Sequence, residues 1–154
     1  MHCKYMGVDQ YFARSVLVVS CFIMDILGCT IWQDRHRKVW ALCLRYCKDH
    51  QVDAPSRYTR ITGNMFTTPA HWRTRFPKLK GKAGQIKHLL PALLYAFDCL
   101  RDPTDERHSM IRVALQSSLK VDRNIDQCPG SIRRPREASE ELIMHGITYL
   151  NTYT

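Results

Sequence analysis

Two stretches of this chain repeat apolar residues at alternating steps of three and four, and that spacing leaves little choice of fold. One series is Ile86, Leu89, Leu90, Leu93, Leu94, Phe97 and Leu100; the other is Trp32, His36, Val39, Trp40, Cys43, Tyr46, Cys47 and His50. Such steps stack side chains on one face of a 3.6-residue helix, whereas a strand would send them to both faces. The first series predicts a helix over 85–100, with a kink or break at Pro91, which cannot donate to the carbonyl of Lys87. The second predicts a helix from Thr30, as N-cap, to His50.

The remaining segments read the same way. Tyr11 to Trp32 is the most apolar part of the chain, with Val16 to Met24 running VLVVSCFIM. A membrane span needs about 20 apolar residues with few charges, and Arg14 and Asp25 leave too short a window. Ile26-Leu27-Gly28-Cys29 has the outline of a lipoprotein cleavage box, with Leu27 where a smaller residue is usual. The preferred reading is a buried helix with Asp9 as N-cap and Gly28 near its end. Val52 to Thr68 has loop composition. Thr68-Pro69 opens a short helix over 70–76, stopped by Pro77. Asp102-Pro103 opens another, with Met110, Ile111, Val113, Ala114, Leu115 and Leu119 as its apolar content; 124–134 is a loop, and a last helix begins near Pro135. The expected architecture is all-α: a compact bundle of about five helices in one domain, residues 1–154, with a loop-rich basic connector at about 54–87.

A chain of 154 residues with 45% hydrophobic and 24% charged side chains can bury roughly two thirds of its unfolded surface without disulfides or metals. Its seven cysteines are odd in number and widely spread, which suits reduced thiols and an intracellular chain, cytoplasmic or nuclear.

Charge carries the functional signal. The net charge is +9, and Ala54 to Phe97 contributes +8 of it without one Asp or Glu; residues 1–53 carry +2 and residues 98–154 carry −1. The candidate nucleic-acid-binding residues are Arg57, Arg60, His71, Trp72, Arg73, Arg75, Lys78, Lys80, Lys82 and Lys87. These cations alternate with rings (Tyr58, Phe66, His71, Trp72, Phe76 and, farther on, Tyr95). Lysine and arginine neutralise phosphates while aromatic faces stack on unpaired bases, the combination a single-strand or structured-RNA binder requires. A plainly solvated basic face is the competing interpretation.

Enzyme signatures are absent: the chain has no G-x-S-x-G, H-E-x-x-H, Walker loop or dinucleotide fingerprint. Lys78 to Gly84 lacks the spacing of a phosphate loop. Cys43, Cys47 and His50 recur on one helical face with zinc-compatible donors, but free cysteines on an apolar stripe more often pack as small hydrophobes. No catalytic residue, metal or cofactor is assigned.

The run Phe66-Thr67-Thr68-Pro69-Ala70-His71-Trp72, followed by Phe76-Pro77-Lys78-Leu79-Lys80-Gly81-Lys82-Ala83, resembles uncharacterised helical proteins multiplied in some algal genomes, in the manner of mobile-element products. The resemblance covers about residues 40 to 100. It implies an intracellular chain, or a piece of a larger product, and no catalytic residue or ligand. The expectation is a non-enzymatic helical module contacting nucleic acid or another polyanion. The alternative is an assembly module whose protein partner docks on the apolar helices at 11–29 and 86–100.

Overall fold

Five α-helices and no strand occur among the described residues, which in this computed structural model are 8–26, 28–66 and 79–127. The chain divides into two units, residues 1–101 and residues 102–154.

In the first unit, α1 (Asp9–Val18) passes directly into a π-helical turn, Val19–Ile23. Met24 N–H bonds Val19 O at 2.8 Å, an i→i+5 bond, and Met24 is extended. The apolar run therefore stops being helical before Gly28, which stands clear of it in the left-handed region at φ 77°. Asp9 is not the cap: Val8 occupies that position without a side-chain bond, and Asp9 is fully buried as the first helical residue. Four β-branched residues, Val16, Val18, Val19 and Ile23, lose side-chain freedom in a regular helix. The wider turn sits among them, a common form of single-turn irregularity.

The second helix, α2 (Trp32–Asp49), starts after an extended Ile31 rather than at Thr30. Its first free amides are engaged locally, Asp34 and Arg35 N–H both bonding Ile31 O, and Asp34 lies at the positive helix end, where acids are favoured. The expected stripe is only partly inward: Val39, Cys43 and Cys47 are buried, while His50 is exposed. A single helical turn, α3 (Gly63–Phe66), interrupts the connector.

The longest apolar face belongs to α4 (Ala83–Leu100), which runs unbroken through Pro91. Ile86, Leu89 and Leu90 on one side of the proline and Ala92, Leu93, Ala96 and Phe97 on the other are all buried. Packing on both flanks outweighs the one backbone bond that proline removes, so the expected break is absent. The α4 helix lies along α2 and also against α1. One contact ties the first pair at its centre: the Cys43 thiol donates to Ala92 O at 3.6 Å. With these faces turned inward, the large hydrophobics left exposed in this unit (Val8, Tyr11, Ile23, Ile31 and Leu44) are scattered.

Polar side chains of α1 fix distant parts of the chain. Arg14, 2% exposed, donates from Nε to Phe66 O at 3.0 Å. One turn earlier, Gln10 O accepts from Leu79 N–H at 3.3 Å, and Gln10 Nε2 reaches Gly81 O at 3.5 Å. Both chain ends flanking residues 67–78 are thus tied to α1.

In the second unit, α5 (Glu106–Asp126) begins three residues after Pro103. Asp102 Oδ1 accepts from the Thr104 N–H at 2.8 Å and from its hydroxyl at 2.6 Å, forming a turn. Asp105 then caps the helix, accepting from Arg107 N–H at 2.8 Å. Asp-Pro marks the turn before the helix, not its first residues. Of its apolar content Met110 and Val113 are exposed, whereas Ala114 and Leu115 are buried together with Ser117 and Ser118. The helix continues through Asn124 to Asp126, where a loop was expected; the nearest breaker is Pro129, which restricts only the residue before it. The rest of that loop and the expected helix from Pro135 lie outside the described residues, as does the short helix over 70–76.

Candidate polyanion interface

Two cationic stretches twenty residues apart in sequence are joined by Tyr58 and Gln85. Tyr58 is buried, and its hydroxyl donates to Lys80 O at 3.0 Å; burial pushes its pKa upward, so it remains a donor. Gln85 Oε1 accepts from Lys82 N–H at 3.0 Å, and its Nε2 donates to Arg57 O at 3.4 Å. Lys80 N–H bonds Met65 O at 3.3 Å. The backbone at Arg57 and Tyr58 is thereby tied to that at Lys80 and Lys82, and Arg60 follows three residues after Arg57.

Glycine is required where these stretches meet. A Cβ on Gly81 would lie 1.8 Å from the Tyr58 hydroxyl oxygen and 2.5 Å from the ring carbon bearing it. At the other end of the connector a Cβ on Gly63 would come within 2.7 Å of the Trp32 ring.

The charge here is uncompensated. Among the described residues no ion pair involves Arg57, Arg60, Lys80 or Lys82; pairs elsewhere in the first unit include Arg37–Asp34, Arg45–Asp49 and Arg101–Asp98. Lys80 and Lys82 also stand at the N-terminal end of α4, whose first turn has no acidic residue. Cations at the positive end of a helix macrodipole are unfavourable on their own and favour an anion alongside. Lys87 is half-buried farther along α4. His71, Trp72, Arg73, Arg75 and Lys78 lie outside the described residues.

The rings expected to stack on bases are largely committed elsewhere. Tyr58 and Phe66 are buried, and Tyr95 is half-buried against Tyr46, ring centroids 5.7 Å apart; Trp72 and Phe76 lie outside the described residues. Interleaving of rings and cations in sequence does not distinguish a stacking ring from a core ring.

The structure instead forms a groove that the sequence did not signal. His36, Trp40, Ala41 and Leu44 of α2 face Arg60 and Ile61 across an open cleft of about 430 Å³. Trp40 also lines a narrow crevice with Arg57, Tyr58 and His88. In the helical pattern Trp40 reads as a core residue; that it is only half-buried depends on where residues 60–63 cross α2, which no periodicity records.

Among the described residues burial disfavours the charged forms of several thiols and one imidazole. Burial raises the Cys21 thiol to about 12 and pushes Cys43 higher still, while Cys47 is also raised, by burial opposed by nearby Arg57. Burial lowers the His36 pKa, keeping that ring neutral. Cys43 and Cys47 are buried, whereas His50 is exposed and stacks on Tyr46 at 3.8 Å, with its Nδ1 3.0 Å from Tyr46 O. Among the described residues no three His, Cys, Asp or Glu side chains are grouped to hold a metal ion, and no helix is long and apolar enough to cross a membrane. No protein-family model, curated protein or solved structure matches this chain significantly.

Proposed function

We propose that this chain is a non-enzymatic helical module that contacts a polyanion, nucleic acid foremost, through its basic connector. The observation carrying this reading is that the backbone at Arg57 and Tyr58 is tied to that at Lys80 and Lys82 beside the positive end of α4, in a stretch where Arg57, Arg60, Lys80 and Lys82 have no ion pair among the described residues. The sequence adds Arg73, Arg75 and Lys78 to the same uncompensated stretch. Binding through these side chains is chiefly electrostatic, with little base preference from phosphate contact itself.

Fluorescence anisotropy with a labelled single-stranded oligonucleotide tests it. For four phosphate contacts on a single strand, log affinity falls against log salt with a slope of about −3. The triple variant Arg60→Glu, Lys80→Glu, Lys82→Glu abolishes binding at low salt, since all three side chains are exposed and none supports the core. Salt-independent binding, or no binding at low salt by the parent chain, removes the proposal.

A further inference from the structure

We infer that the groove between α2 and residues 60–63 takes one unpaired nucleobase of a single strand, stacked on Trp40, with the adjoining phosphate on Arg60. This rests on the reading above and names the ligand chemistry of its neighbouring surface.

Three observations carry it. First, the cleft of about 430 Å³ falls in the range of small-ligand sites, roughly 300–1,000 Å³. Its walls are apolar at Trp40, Ala41, Leu44 and Ile61, and Leu44 is 38% exposed there. Second, positive charge is confined to two arginines. Arg37 is held by Asp34, whereas Arg60 is exposed and has no ion pair among the described residues. The remaining titratable wall, His36, stays neutral and belongs to an aromatic ladder. In that ladder Phe22 and Trp32 stack at 5.3 Å, Trp32 and His36 sit 6.4 Å apart, and His36 and Phe66 stack at 5.8 Å. Of these rings only His36 reaches the groove, where it joins Trp40, and a mostly apolar wall with two rings beside one available guanidinium matches a planar base joined to one phosphate. Third, Trp40 lines both this groove and the crevice holding Arg57 and Tyr58. A strand lying on Arg57, Lys80 and Lys82 therefore has a stacking surface adjacent to its path.

The groove thus supplies what Tyr58 and Phe66, buried in packing, do not. Aromatic stacking strengthens binding by roughly five- to hundredfold per base, enough to separate a base-bearing strand from a bare polyanion.

The experiment uses the full chain and three labelled probes of equal length: oligouridylate, an abasic sugar-phosphate oligomer and a glutamate-rich peptide. Oligouridylate should bind about tenfold or more tightly than the abasic oligomer, and the peptide more weakly than either. Trp40→Leu keeps apolar bulk without an aromatic face and should remove that preference while leaving the salt slope unchanged. Because Trp40 is half-buried, Ala41→Gln, an exposed groove position given bulk without charge, serves as the second variant and should lower oligouridylate affinity selectively. Equal salt-dependent binding of oligouridylate and abasic oligomer overturns the groove assignment and leaves the polyanion reading standing. Tighter binding of the peptide than of oligouridylate also overturns it. Failure of every probe to bind at low salt removes both.

Discussion

At Gly81 the structure admits no side chain, because the Tyr58 hydroxyl occupies the space where a Cβ would sit. Gly81→Ala should therefore cost about 2 kcal/mol or more by forcing Tyr58 from its site and from Lys80 O. The measurement is the urea midpoint. Tyr58→Phe removes the closest clashing atom, so the double variant should be less destabilised than the sum of the two single changes. This contact also explains what was legible in the sequence at this scale and what was not. Arg57, Lys80 and Lys82 were identified by charge alone, because charge is a property of residue type. Tyr58 was expected to meet bases and instead meets a backbone carbonyl, since the partner of a ring is decided by chain segments twenty residues away.

Among the elements, the start of α5 carries two carboxyls with lowered pKa values. Asp105 accepts from Arg107 N–H at 2.8 Å and pairs with the Arg107 guanidinium at 2.9 Å. The Arg107 side-chain bonds hold its carboxyl down at about 2, against an ordinary 3.8; Asp102 is lowered as well, by its bonds from Thr104. A carboxyl depressed in the folded state stabilises that state above its ordinary pKa, and the contribution is lost as pH falls from about 4 through 2. Asp105→Ala should accelerate hydrogen exchange in the first turn of α5 at neutral pH, and the difference from the parent should shrink steadily as pH falls from about 4 through 2. Helix identity along this chain was readable because the three-and-four spacing survives in α2 and α4. Helix ends were less readable. Thr30 and Asp9 have capping side chains but sit one residue from the observed cap, and Pro91 has the chemistry of a breaker inside a helix held on both sides by buried leucines. Local signals report what a residue prefers, and packing decides whether the preference is met.

For the whole molecule, thiol accessibility reads the fold. Cys21 and Cys43 are fully buried with strongly raised thiols, Cys47 is buried, Cys29 is half-buried and Cys99 is exposed. At pH 8, alkylation followed by peptide mass spectrometry should mark Cys99 first among these five, with Cys21 and Cys43 modified only at the rate of unfolding. The all-α class was legible at this scale because strands need period-two patterning that this chain lacks. The groove beside Trp40 was not, because it arises where two separately readable segments cross.

The grip of α1 on distant backbone has a consequence in time. Gln10 is completed by Gly81, and Arg14 by Phe66, separations of 71 and 52 residues. During synthesis at about 5–20 residues per second, Gly81 follows Gln10 by roughly 4–14 s. Through that interval Phe12, Val16 and Leu17 have no α4 to cover them. The α1 helix, translated well before its partners, is thus late to find its place, and the newborn chain passes through a stage in which its most apolar segment must be sheltered by something other than its final neighbours.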